Sequence, residues 1–139
     1  MTPQTWQEVL TARAWHHGAL AVQAKKINAR IDEVEDFLNN QAIKVAVWFN
    51  IYTTYSVGTD QISSVTHQLG FCRHGNGWAL ALLPAGITDE SKQYLSTPLS
   101  KCSLPDRILA VQYLDAFLVV YYEALVAQQT RCIEVLGEK

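Results

Sequence analysis

From Trp6 to Leu38 the positions Trp6, Leu10, Arg13, His17, Leu20, Ala24, Ile27, Ile31, Val34 and Leu38 follow one another in alternating steps of four and three. That spacing is the seam of a long amphipathic helix, which has to set one stripe against a neighbour. Two of the ten seam positions, Arg13 and His17, are polar. Gly18 beside them costs about 1 kcal/mol relative to alanine in a helix, so a bend or break is expected there. Asn39-Asn40 supplies the stop.

Between Gln41 and Leu83 only Lys44, Asp60 and Arg73 are charged, and β-branched and aromatic residues dominate, which is strand composition. Ile43, Val45, Val47, Phe49 and Ile51 alternate with Lys44, Ala46, Trp48, Asn50 and Tyr52, giving one apolar face and one mixed aromatic and polar face. A turn at Gly58-Thr59-Asp60 leads to a second run, Ile62 to Arg73. His74-Gly75-Asn76-Gly77 joins it antiparallel to a third, Trp78 to Leu83, with glycine supplying positive φ. On the second run Val65, His67, Leu69, Phe71 and Arg73 fall on one face and Thr66, Gln68, Gly70 and Cys72 on the other.

Pro84-Ala85-Gly86 ends the third strand, and Asp89 to Leu95 reads as a short helix before Pro98. Ser103-Leu104-Pro105-Asp106 has the form of a helix start, and the pattern continues to about Leu136 with apolar residues on more than one stripe. Helix, three or four strands, helix implies an α+β fold over residues 1–139, one domain, with an antiparallel sheet and both long helices on one sheet face. Gly70-Phe71-Cys72-Arg73, the Gly75-Asn76-Gly77-Trp78 turn and Thr97-Pro98-Leu99 before a terminal amphipathic helix resemble small bacterial α+β proteins of unknown function. The resemblance covers about the last 75 residues of the chain. It implies the architecture and a bacterial cytoplasmic setting, and it carries no catalytic motif to transfer.

Composition narrows the function. Eleven basic and thirteen acidic residues leave no cationic excess to neutralise phosphates, which argues against nucleic acid. The stretch Ile108 to Val126 mimics a membrane span, but Asp115 lies near its middle and no Lys/Arg cluster flanks it. Cys72, Cys102 and Cys132 are odd in number and widely spaced, which fits a reducing compartment, and the first residues lack the pattern of a secretion signal. A charged fraction of 17% against 49% hydrophobic residues, on a chain whose folded surface should be roughly 7,000 Å², leaves apolar area to be covered by a partner.

Four groups of side chains are candidates for function. Trp48, Asn50, Tyr52, Thr54 and Tyr55 would line the sheet face away from the helices, a plate suited to a homodimer contact or another protein; a covering helix, such as the linker helix, would close it. Arg13 and His17 would face a pocket between the helices, or pair with Asp115 or Glu123, if the seam is buried along its whole length. If the seam ends near Leu20 they face solvent. His67, Cys72, Arg73 and His74, with Cys102 approaching from the linker, form a thin version of a zinc or thiol-nucleophile cluster. Its spacing fits an ordinary strand cysteine and turn histidine better, and no cofactor is expected. Tyr113, Tyr121 and Tyr122 fit core packing. The expected function is therefore an interaction or accessory protein, not an enzyme, working as a homodimer through the aromatic sheet face. The alternative is a small-molecule binding protein or enzyme with a pocket between the sheet and the two long helices, built on Arg13, His17, Asp115 and Glu123.

Overall fold

The computed structural model describes residues 5–87 and 92–137. Helix α1 (Trp6–Asn39) starts where the Thr5 hydroxyl accepts the Glu8 N–H at 3.2 Å and ends at Asn40, whose N–H returns to the Asp36 carbonyl. It runs through Gly18 as one element, without the expected break. A β-carbon at Gly18 would meet nothing within 4 Å, so the glycine faces open space and its cost is absorbed along 34 helical residues.

Strands β1 (Val47–Val57), β2 (Asp60–His74) and β3 (Gly77–Pro84) form an antiparallel meander, and the two-residue strand β4 (Thr97–Pro98) completes a sheet of order β1-β2-β3-β4. The α+β architecture expected from the sequence is the one present. Both hairpin loops put glycine, Gly58 and Gly75, at the first central position with φ near +60°, the requirement of a type II′ connection. Residues 43–46, expected as the start of the first strand, lie outside it. Register pairs Ile51 with His67 but Tyr52 with Val65, so Thr66 is the extra residue of a β-bulge. Beyond the bulge β1 and β2 continue as a two-stranded ribbon, since β3 pairs with β2 only over His67 to His74.

Ile31, Val34 and Leu38 of α1 pack on Val47, Ile51, Leu69, Phe71, Leu80 and Leu82, which share one sheet face. Helix α2 (Lys92–Leu95) is the observed end of the expected Asp89–Leu95 helix, whose residues up to Ser91 lie outside the described ones. A turn of 3-10 helix at Leu99–Lys101 leads to α3 (Leu104–Gln112), capped by Ser103 as expected. The terminal helix is not continuous: it breaks at Tyr113 and resumes as α4 (Leu114–Leu136) at 58°. The bend lets α3 lie on α1 while α4 lies on β1, so Ala110, Leu114, Phe117 and Tyr121 all enter one core. Among the described residues no single helix is long and apolar enough to cross a membrane; α3 and α4 reach that length only across the bend.

Candidate interaction surface

The sheet face away from the long helices has two parts. On β1 and β2, Trp48 pairs with Gly70, Asn50 with Gln68, Tyr52 with Val65 and Thr54 with Ser63. Trp48 lies flat over Gly70, where a β-carbon would stand 2.3 Å from the ring atom Cε3, so only glycine admits the indole. The segment after β3 folds over this end. The Lys92 ammonium sits 6.0 Å from the centroid of the Trp48 ring and donates to Gln68 Oε1 at 3.0 Å, while Gln68 Nε2 donates to the Ile87 carbonyl at 3.1 Å. Gln68, Cys72, Ala81 and Leu83 are buried beneath it and Trp48 is half-buried. Towards the hairpin the cover stops: Asn50 and Thr54 are exposed and Tyr52 is 56% exposed. The side chain of Tyr55 lies outside the described ones. The surface expected from the sequence is thus closed at Trp48 and open from Asn50 onward.

His74, Cys72 and Ser96 meet under the same cover. Ser96 Oγ lies 2.9 Å from His74 Nε2 and 3.9 Å from Cys72 Sγ, and it donates to the Gln93 carbonyl at 3.1 Å. Because the hydroxyl proton is committed to that carbonyl, the Nε2–H donates to Oγ and the imidazole is not placed to take the serine proton. Burial, with Lys101 nearby, holds the His74 ring below the usual histidine range and so neutral, and burial pushes the Cys72 thiol up. A neutral donor and a protonated thiol on a buried hydroxyl act as a clasp tying the linker to β2. The recess beside them, about 590 Å³, is lined by Arg73, Gly75 and Tyr94 in addition to His74 and Ser96. His67 lies on the other sheet face, with Cys102 in a recess of about 230 Å³, so strand parity separates it from Cys72. Among the described residues no group of three or more His, Cys, Asp or Glu side chains is placed to hold a metal ion.

Arg13, His17, Asp115 and Glu123 are all exposed, and the structure does not bring them together. Asp115, with its side chain 90% exposed, pairs with Arg30 at 3.2 Å. Arg13 stands about 25 Å further along α1, taking 1.5 Å of rise per residue from Arg30.

Of the two readings of the α1 seam, burial along its whole length or an end near Leu20, the structure has the second, while the projection of the β1–β2 ribbon and of the end of α4 was not foreseen. Only Ile31, Val34 and Leu38 of α1 are buried, and its first turns are exposed on every side: Trp6 is 68%, Leu10 48% and Leu20 49% accessible. Val57 and Ile62 on the β1–β2 ribbon and Val126, Val135 and Leu136 on α4 are exposed as well. The accessible area is 9902 Å², about 2,900 Å² above the roughly 7,000 Å² that scaling gives for a folded chain of this mass. Comparison with known proteins yields no match to a family model, a curated protein or a solved structure.

Proposed function

We propose that this chain is an interaction or accessory protein that works as a homodimer, with its projecting apolar elements as the contact surface. The observation that carries this is the excess of accessible area, about 2,900 Å² per chain against the roughly 800 Å² each partner contributes to a standard stable interface. Exposed tryptophan and tyrosine are residue types enriched at interfaces, and the exposed leucine and valine on elements that leave the core add apolar area beside them. The open end of the outer sheet face, Asn50, Tyr52 and Thr54, offers a ring with a polar tip beside two hydrogen-bonding side chains. The three cysteines without a disulfide fit a reducing, cytoplasmic setting.

Sedimentation equilibrium between about 1 and 100 μM tests the reading, since a micromolar dissociation constant falls within that range. A mass near twice 15.6 kDa is expected; a monomer at every concentration overturns it. Tyr52→Ser, at an exposed strand position, measures the share of the sheet face by the rise in dissociation constant.

A further inference from the structure

The exposed half of the α1 seam has a symmetry of its own. Read forward from Trp6, the steps to Leu10, Arg13, His17, Leu20 and Ala24 are four, three, four, three, four; read backward from Ala24 they are the same. Two copies running in opposite directions therefore meet level for level. Trp6 faces Ala24 of the other copy, Leu10 faces Leu20, and Arg13 faces His17. The largest side chain of the seam meets the smallest, leucine meets leucine, and the two polar positions meet each other. A slip of one heptad in either direction would set Arg13 against a leucine or alanine and strand its guanidinium on apolar surface. Polar seam positions are known to fix register in this way, at some cost in stability. In the centred register the guanidinium lies beside an imidazole, whose ring nitrogen can accept its hydrogen bond.

The extent of the match agrees with the fold. The helix begins at Trp6 under the Thr5 cap, and the first seam residue packed against the chain's own core is Ile27. The other copy's Trp6 reaches Ala24 and stops there, so the paired segment, about 28 Å long, is the segment the core leaves uncovered. Ala14 and Ala21 flank the seam on one side and allow close approach of the two helices.

We infer that the self-contact of this protein is an antiparallel pair of α1 helices, one from each copy, centred between Arg13 and His17. The assignment rests on the self-association proposed above and says which element makes it. In a Cys132→Ser background, which removes the exposed native thiol, Leu10→Cys and Leu20→Cys chains are mixed under mild oxidation. The mixture is expected to give disulfide-linked heterodimers and each chain alone little product, because identical positions do not face each other. Leu10→Asp removes the Leu10–Leu20 contact on both sides of the centre and should raise the dissociation constant at least on the order of thirtyfold, and Trp15→Ala on the far side of the helix should leave it unchanged. Arg13→Leu with His17→Leu should lower it on the order of tenfold. Near-ultraviolet circular dichroism and thermal melting of each variant check that the core, which these residues do not touch, is intact. A dimer that tolerates Leu10→Asp, or links Leu10→Cys to itself, overturns the helix pairing and leaves self-association standing. A wild-type monomer throughout the concentration series overturns both.

Discussion

At the scale of single residues, the outer sheet face depends on one missing methyl group. The Trp48 ring occupies the place a side chain at Gly70 would take, and the contact is to the rigid bicyclic system rather than to a flexible tip. Gly70→Ala must push the indole off β2 and loosen the linker that Lys92 and Gln68 hold over it, at a cost of about 1–3 kcal/mol in urea unfolding. In a Trp48→Ala background the same change should be close to neutral, and equal costs in both backgrounds would mean the ring is not what excludes the methyl. Glu35 is a second such position. Its carboxylate accepts the Leu80 N–H at 3.0 Å, on the stretch of β3 that β4 does not cover. Burial raises its pKa first of all, the Leu80 hydrogen bond opposes this, and Asp32 and Asp36 add to the rise. The folded state then holds the proton more tightly than the unfolded chain, so ionising Glu35 costs stability as pH rises from the ordinary glutamate range through its folded pKa. Glu35→Gln keeps an acceptor for Leu80 without the charge. It should be more stable than the parent at pH 7, with the gap closing once the pH falls below the glutamate range; urea midpoints at pH 4 and pH 7 read the difference.

Among the elements, what could be read from the sequence was local. The four-three seam, the Asn39-Asn40 stop, the glycine-led hairpin turns and the Ser103 cap each lie within a few residues of the structure they cause, and α1, β1 to β3 and the start of α3 appear where those signals stand. What escaped depends on distant neighbours. No proline or glycine marks the break at Tyr113; it arises because α3 and α4 pack on different partners, α1 and β1. The cover over Trp48 hangs on Ser96 reaching back to Cys72 and His74, contacts between residues more than twenty apart that no periodicity announces. Thr66 carries no mark that it will bulge, and the shift it introduces sets Val65 against Tyr52. For the candidate surface, the residues Trp48, Asn50, Tyr52 and Thr54 were legible from alternation, with a covering linker helix as the alternative; where that cover would stop, over Trp48 and short of Asn50, was not. Gly18 is instructive because a helix-weakening residue was expected to interrupt α1, and helix propensity at one position did not outweigh the rest of the rod. Gly18→Ala, with nothing within 4 Å of the added carbon, should raise helix stability by about 1 kcal/mol, seen as roughly fivefold slower hydrogen exchange at amides on either side of position 18. Unchanged exchange there would mean the helix opens somewhere other than at the glycine.

The whole molecule divides into a core that closes on itself and elements that leave it. Phe71, Phe117, Tyr121 and their neighbours bury one another without help, with the Tyr121 ring edge-on to Phe71 and its hydroxyl accepting the Val45 N–H. The first nineteen residues of α1, from Trp6 to Ala24, have no such support. A helix of that length in water is marginal, because each residue added contributes little beyond the cost of fixing it unless an apolar face is covered. Association and helix formation in this arm should therefore be one event, whereas the core should not sense dilution. Trp6–Ala24 makes up about a quarter of the helical residues, so lowering the concentration well below the dimer dissociation constant should remove up to roughly that share of the ellipticity at 222 nm. The near-ultraviolet signal of the buried aromatic cluster and the urea midpoint of the core should hold constant over the same range. If the midpoint falls together with the helical signal, the core itself depends on the partner. If neither moves while sedimentation shows dissociation, the arm is a stable helix alone, and its exposed leucines and tryptophan are held ready in helical form before a second chain arrives.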